Sequence, residues 1–297
     1  MLDNAQIAAV AAVIRTGSFD KAAQQLGLTP SAISQRVKQI EERLGAVLIV
    51  RGQPCVATPA GQRLFRHAEE VGLLEQALRQ ELGLADPHGP WPSLRIAVNA
   101  DSLATWFVAA IAATEGCLFD LVLDDQDHSA DWLRRGEVRA AVSGDGATVQ
   151  GCDCRPLGAL RYIATASPDY MRRWFDGGVS RDGLSVAPSL TFNNKDRLQE
   201  RWIEQHFGRG LAPPTHWLPS AQAFVDATLA GIGWGMNPQT LVQPFIDAGR
   251  LVPLVADSPF DVPLYWHWSR SVQTAMRTVT PAVCAAAASV LRPMPAD

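Results

Sequence analysis

The 297-residue chain has no uninterrupted apolar run of about 18 residues, so no membrane-spanning helix is expected. Its first fifteen residues, MLDNAQIAAVAAVIR, lack a basic start ahead of the apolar stretch. That argues against a secretory signal and favours the cytoplasm. Cysteine is scarce and odd in number. Cys55, Cys117, Cys152, Cys154 and Cys284 make no disulfide framework. Cys152 and Cys154 stand too close for the usual zinc pair, and the six histidines show no ligand spacing. No metal or other cofactor is therefore expected. There is no G-x-S-x-G elbow, and the glycine-rich GIGWG lacks the Lys-Ser/Thr of a phosphate loop. Nothing marks a catalytic centre, and an enzyme is not expected.

The net charge of −4 excludes a polycation, yet the charge is unevenly spread. Residues 1–60 carry six Lys/Arg against four acids, on an otherwise acidic body. A mildly basic head suits a small nucleic-acid module. Apolar residues make up 47% and charged ones 19%, enough for sizeable cores in two or three domains.

Helical spacing of Ile7, Val10, Ala11 and Ile14 predicts a helix over about 4–15, ended by Gly17. Ser18 is placed to cap a second helix with Phe19, Ala22, Ala23 and Leu26 on one face, stopped by Gly27. Thr29-Pro30 opens a third, which buries Ile33, Val37, Ile40 and Leu44 and stops at Gly45. The opposite face of that third helix carries Ser31, Ser34, Gln35 and Lys38, with Ala32 and Arg36 beside them. Short hydroxyl and amide side chains near a helix start suit base edges, and Arg36 and Lys38 suit phosphates. The same spacing also fits a plain three-helix bundle with a solvated face. Two β-prone runs, Val47–Val50 and Cys55–Ala57, flank Arg51-Gly52-Gln53-Pro54 and predict a hairpin. A hairpin after such a helix reads as a wing, with Arg51 reaching a minor groove or phosphate.

The stretch FDKAAQQLGLTPSAISQRVKQIEERLGAVLIVR, followed by TPAG, resembles the N-terminal winged helix of LysR-type transcriptional regulators. The resemblance covers the whole chain in length and layout. It implies binding to double-stranded promoter DNA and a partnership with RNA polymerase.

From Pro59 to about Leu84, Leu64, Ala68, Val71, Leu74, Leu78 and Leu82 form a narrow apolar stripe. Such a helix pairs with a second chain or packs on its own domain. In the family it is the dimerisation linker, which implies a homodimer or homotetramer. The prolines of ADPHGPWPS then mark a hinge. The expected domains are a winged helix-turn-helix over 1–58, a linker helix and hinge over 59–90, and an effector-binding domain over 91–297.

Beyond the hinge, strands alternate with helices, giving an α/β class with mainly parallel sheets. Predicted strands are 94–98, LFDLVL, AAVSGD, YIATAS, 189–192, 216–219, 231–236 and 265–268; helices lie near 168–175, 196–207, 221–229 and the C-terminus. The family implies a periplasmic-binding-protein-like effector domain of two subdomains, about 91–161 with 268–297, and about 162–267. Ligands of such sheets sit beyond strand C-termini, at helix starts. This places Asn99, Asp101, Ser102 and Leu103 on one wall, with Ser143 and Asp145 nearby. Free N–H groups at 102–103 could hold a carboxylate. Phe192, Asn193, Ser220, Ala221 and Phe224 stand across from them. Each is equally a cap or turn residue by type.

VNADSLATWF, RRGEVRAAVS and LYWHW are similar to the subfamily that senses basic amino acids, the ArgP/LysG-like regulators. This implies lysine or arginine as effector and activation of an amino-acid exporter gene. Asp101, Asp124, Asp125, Asp127 and Asp145 are candidate acids for the cationic tail, with Asp125 the choice in the segment after LFDLVL. A different small carboxylate effector stays open. So does a cytosolic amino-acid-binding protein or enzyme whose helical head contacts proteins.

Overall fold

The computed structural model describes residues 3–84, 91–123 and 129–294. The chain forms two compact units, Met1–Leu94 and Arg95–Asp297.

The first unit begins with helices α1 (Asn4–Thr16), α2 (Phe19–Leu26) and α3 (Pro30–Leu44). Local chemistry fixes every boundary. Asp3, Ser18 and Thr29 accept hydrogen bonds from the first-turn amides of Ala5, Lys21 and Ala32. Gly17, Gly27 and Gly45 end the helices in the left-handed conformation that glycine tolerates best. The hairpin of β1 (Ile49–Val50) and β2 (Val56–Ala57) follows and is antiparallel. Glu41 on α3 holds its entry, accepting from the Leu48 and Ile49 amides at 2.8 and 3.3 Å. Ile7, Val10, Val13, Ile33, Val37, Ile40, Leu48 and Ile49 share one core. Leu44, expected in it, is exposed, because it occupies the last helical position before the Gly45 cap.

The TPAG segment joins the wing to α4 (Pro59–Glu81). The Thr58 hydroxyl donates to the Val47 carbonyl at 2.7 Å and accepts from the Gly61 N–H at 3.0 Å. A Cβ at Gly61 would lie 1.9 Å from the Leu48 carbonyl oxygen. Glycine is thus required there by close backbone approach. Along α4, Leu64, Leu73 and Ala77 are buried, whereas Leu74, Leu78 and Leu82 of the predicted stripe are exposed.

In the second unit, β3 (Ser93–Val98) leads to α5 (Ala100–Ser102), a π-helical turn over Leu103–Phe107 and α6 (Val108–Ala112). Then come β4 (Leu118–Leu123), α7 (Ser129–Arg134), β5 (Ala140–Ser143) and β6 (Cys152–Ala166). A second group follows: α8 (Pro168–Trp174), α9 (Arg181–Val186), β7 (Ser189–Thr191), α10 (Leu198–Phe207) and β8 (Thr215–Trp217). It continues with α11 (Ala221–Leu229), β9 (Gly235–Pro238), α12 (Gln239–Asp247) and β10 (Val252–Pro253). The chain returns through β11 (Phe260–Ser269) and ends on α13 (Met276–Val290).

The main sheet runs β10-β6-β11-β5-β3-β4, with β9 also on β6. This corrects the expectation of mainly parallel sheets. Parallel pairs join β3 to β5 and β7 to β8, while β11 pairs antiparallel with both β5 and β6, and β6 with β9 and β10. The reason is the length of β6 and β11. They pair with each other along their length, and at one end β11 joins β5 while at the other β6 joins β9 and β10. Their register slips between Leu264 and Tyr265. Gly158 lies opposite that slip with φ 130°, and a Cβ there would sit 2.5 Å from the Arg292 carbonyl oxygen. The expected strand YIATAS is only the second half of β6. Cys152 and Cys154 belong to its first half. Burial pushes the Cys117 thiol up to about 11 and raises those of Cys152 and Cys154.

Candidate functional site

In the first unit, α3 presents Ser31, Gln35 and Lys38 to solvent, with Ala32, Ser34 and Arg36 half-buried beside them. All six lie off the core face of Ile33, Val37 and Ile40. Arg51 does not extend away from the body of the unit. Its guanidinium stacks over the Phe19 ring at 4.9 Å and donates to the Ser34 hydroxyl at 3.3 Å. A cation on an aromatic face loses rotamer freedom and keeps its charge. Arg51 therefore extends the polar face of α3.

In the second unit, the C-terminal ends of β3 and β5 lie together, because the two strands are parallel. Asn99 and Ser102 follow β3 and are 2% and 0% exposed. Among the described residues, the side-chain nitrogen and oxygen of Asn99, the Ser102 hydroxyl and the Trp106 indole N–H find no hydrogen-bond partner. Buried polar groups are normally satisfied, so such a group marks a place where a partner is missing. The π-turn directly after Ser102 widens this helix, as such turns commonly do at functional positions.

Asp101 ties this segment to the second group. The Tyr162 hydroxyl donates to Asp101 Oδ2 at 2.7 Å, and Tyr162 is 1% exposed. Tyr162 on β6 is in register with Pro238, at the C-terminal end of β9. β9 lies parallel beside β7 through Ser189 and Trp234, and β8 is parallel to β7. The C-terminal ends of β7, β8 and β9 therefore share the edge that Tyr162 brings to Asp101. Phe192, Asn193, Ser220 and Ala221 follow β7 and β8 at that edge.

Not every expected residue is open to a ligand. The Leu103 N–H, expected to be free, donates to the Asn99 carbonyl at 3.1 Å as the helix's first i→i−4 bond. The amides that a helix leaves unpaired are those of the preceding turn, 100–102. Phe224 packs in the core with Leu190 and Ala227, and its ring leaves no room for a side chain at Gly235. It supports the edge from behind. Asn193 Oδ1 accepts from the Lys195 and Asp196 amides, and Ser220 Oγ from Ala223 N–H, so both shape the backbone. Ser143 Oγ accepts from the Asp145 amide at 3.1 Å. Asp145 is half exposed, accepts from Ala147 N–H at 2.8 Å and stands 3.9 Å from Arg134. Its carbonyl meets His267 Nε2 at 2.8 Å, and burial lowers the His267 pKa. Asp125, with Asp124 and Asp127, lies outside the described residues.

The structure also buries Gln199 in the first turn of α10, with neither amide atom partnered among the described residues. Nothing in its sequence context, DRLQERW, distinguishes it from an exposed helical glutamine. Among the described residues no group of three or more His, Cys, Asp or Glu is placed to hold a metal ion. No helix among them is long and apolar enough to cross a membrane.

A winged helix-turn-helix unit joined to an α/β unit with a polar, partner-lacking edge defines a two-part DNA-binding regulator. Residues 5–62 match the bacterial regulatory helix-turn-helix protein family of LysR type, and 87–283 match the LysR substrate binding domain. The chain belongs to the LysR family of transcriptional regulators, which are not enzymes. It is 41% identical over 291 residues to the regulator LysG of Mycobacterium tuberculosis, covering 98% of this chain and 95% of that one. The crystal structure of ArgP from M. tuberculosis superposes with a TM-score of 0.79 at 40% identity, covering 99% and 100% of the two chains. Full-length LysG from Corynebacterium glutamicum, solved with bound effector Arg, gives 0.62 at 35% identity, over 98% and 100%.

Proposed function

We propose that this regulator answers to a basic amino acid, lysine or arginine, bound where Asn99, Asp101 and Ser102 meet the edge of the second group. The observation that carries the reading is the set of buried, unpartnered polar groups of Asn99 and Ser102 beside an aspartate held by Tyr162. The effector's α-carboxylate takes the amides of 100–102 and the Ser102 hydroxyl, favoured by the helix dipole. Asp101 faces the cationic group, its orientation set by the tyrosine O–H. A carboxylate against an ammonium or guanidinium in a water-poor cleft is strong and selective. The bound arginine of the C. glutamicum relative supports this class of effector. A carboxylate without a cationic group would use the same serine and asparagine and leave Asp101 unmatched.

The domain limits follow the same reading: a winged helix over 1–58, a linker helix and hinge over 59–90, and an effector domain over 91–297. Its two subdomains are about 91–161 with 268–297, and about 162–267. DNA contacts are Ser31, Ala32, Ser34, Gln35, Arg36, Lys38 and Arg51. The exposed Leu74 and Leu78 of α4, with Leu82 just beyond it, pair with a second copy, giving dimers that assemble into tetramers on two half-sites. The regulator acts in the cytoplasm, with RNA polymerase, to activate an amino-acid exporter gene. The effector works through its difference in affinity between two relative settings of the subdomains, the only route by which a ligand shifts such an equilibrium. DNase footprinting on the DNA flanking its own gene, with and without lysine and arginine, tests this. A footprint that changes in extent or spacing is expected. An unchanged footprint with unchanged transcription would sink the switching mechanism.

A further inference from the structure

We infer that Gln199 reads the effector from the second wall, its carboxamide pairing with the α-amino-acid head group; this rests on the amino-acid reading above. Gln199 is 4% exposed, and both Nε2 and Oε1 lack a partner among the described residues. It shares the buried face of α10 with Leu198, Trp202 and Ile203. Several polar groups around it are satisfied. Asp196 accepts from the Phe192 and Leu198 amides, and Asn193 from those of Lys195 and Asp196. Trp202 Nε1 donates to the Ser258 carbonyl. The nearby buried Asn237 amide nitrogen reaches Thr165 and Thr228, whereas Asn237 Oδ1 and the indole N–H of Trp234, whose ring lies 5.5 Å from that of Trp202, lack a partner among the described residues. Among the described residues no such bond reaches either amide atom of Gln199.

What sets Gln199 apart is its place and its two unpartnered amide atoms. The loop from Phe192 to Arg197 carries the chain from the end of β7 directly into α10, so the first turn of α10 stands at the C-terminal end of β7. That is the edge that the Tyr162–Asp101 bond brings to Asn99 and Ser102. A carboxamide offers an acceptor and two donors at one point. Oε1 suits the α-ammonium and Nε2 the α-carboxylate, a pairing that a purely apolar wall cannot supply.

The chemistry gives a test that separates a ligand contact from a structural one. Replacing an unsatisfied buried polar group by an apolar group of similar shape is neutral or stabilising, whereas removing a used hydrogen bond destabilises. Gln199→Met in the full-length protein is therefore expected to unfold at the wild-type temperature or above it without ligand. Its affinity for L-lysine and L-arginine by calorimetric titration is expected to fall about tenfold or more, the loss of a hydrogen bond to a charged group. Lysine binding within twofold of wild type would overturn the inference, as would an unfolding temperature lowered by several degrees with affinity intact. Gln199→Glu, which keeps the volume and repels a carboxylate, is read by the same affinity criterion should the methionine variant fail to fold. Absence of lysine and arginine binding in the wild-type chain would instead overturn the amino-acid reading itself.

Discussion

Substituting Asp101 by asparagine removes one negative charge and keeps the side chain's shape. In the structure the Asp101 carboxylate accepts from the Tyr162 hydroxyl at 2.7 Å, and an amide oxygen can still accept there. The fold should lose little, about 1 kcal/mol, the difference between a charged and a neutral acceptor. Effector binding should lose more, because the carboxylate is the proposed partner of the cationic group. A hydrogen bond to a charged group contributes about 1.5–3 kcal/mol, so lysine affinity should fall by roughly 10- to 150-fold. The diagnostic is norleucine, which keeps the amino-acid head and the apolar stem of lysine and lacks the terminal ammonium. Calorimetric titration of wild type and D101N with both ligands isolates the charge contact as a double-mutant cycle does. Wild type should prefer lysine, and D101N should bind the two alike. Equal losses for lysine and norleucine would refute the assignment of Asp101 to the cationic tail.

Four further outcomes follow. Gly61→Ala drives a methyl into the Leu48 carbonyl and should cost more than about 3 kcal/mol in the DNA-binding unit, seen as an earlier unfolding transition and lost DNA affinity. Arg51→Ala should weaken DNA binding and, if the contact is to phosphate, reduce the slope of log affinity against log salt by about 0.9; an unaltered slope with unaltered affinity would remove Arg51 from the interface. Burial depresses the His267 pKa below its ordinary value, so the unfolded chain binds this proton first as pH falls. Its stabilising contribution should be complete above about pH 6.5 and lost as pH drops through the folded value, and His267→Gln should flatten that acid limb of thermal stability. Leu74→Glu with Leu78→Glu should shift the protein toward monomer in sedimentation if α4 pairs with a second copy; unchanged sedimentation would assign that surface elsewhere.

The DNA-binding unit was legible because its determinants are local. Ser18, Thr29-Pro30 and the three capping glycines act within a turn of their own positions, and the 4-3 spacing of Ile33, Val37 and Ile40 sets the core face. Leu44 misled because a helix's last residue can extend an apolar stripe without having a core beneath it. Gly61 belongs to a recognisable motif, yet its reason, the carbonyl of Leu48, comes from the wing.

The sheet was legible in part. Strands β3 and β5 sit between helices and read as short apolar runs. β6 and β11 pair residues about a hundred positions apart, so no local signal announces them. Pro156 and Gly158 look like a turn, and in the structure they mark the register slip. Strand ends and helix starts pointed to Asn99, Asp101 and Ser102 as the first wall of the proposed site. They did not point to Tyr162 and Gln199, because a tyrosine in an apolar strand and a glutamine in a helix become informative only when tertiary packing buries their polar atoms.

Thermal unfolding of the full-length protein against a panel of amino acids and small carboxylates tests the central claim most directly. A ligand at about 100 times its dissociation constant adds about 2.7 kcal/mol, worth several degrees in a domain of roughly 200 residues. A selective rise with lysine or arginine, much smaller with norleucine, is the predicted result. A rise with an unrelated carboxylate and none with lysine or arginine would contradict the account.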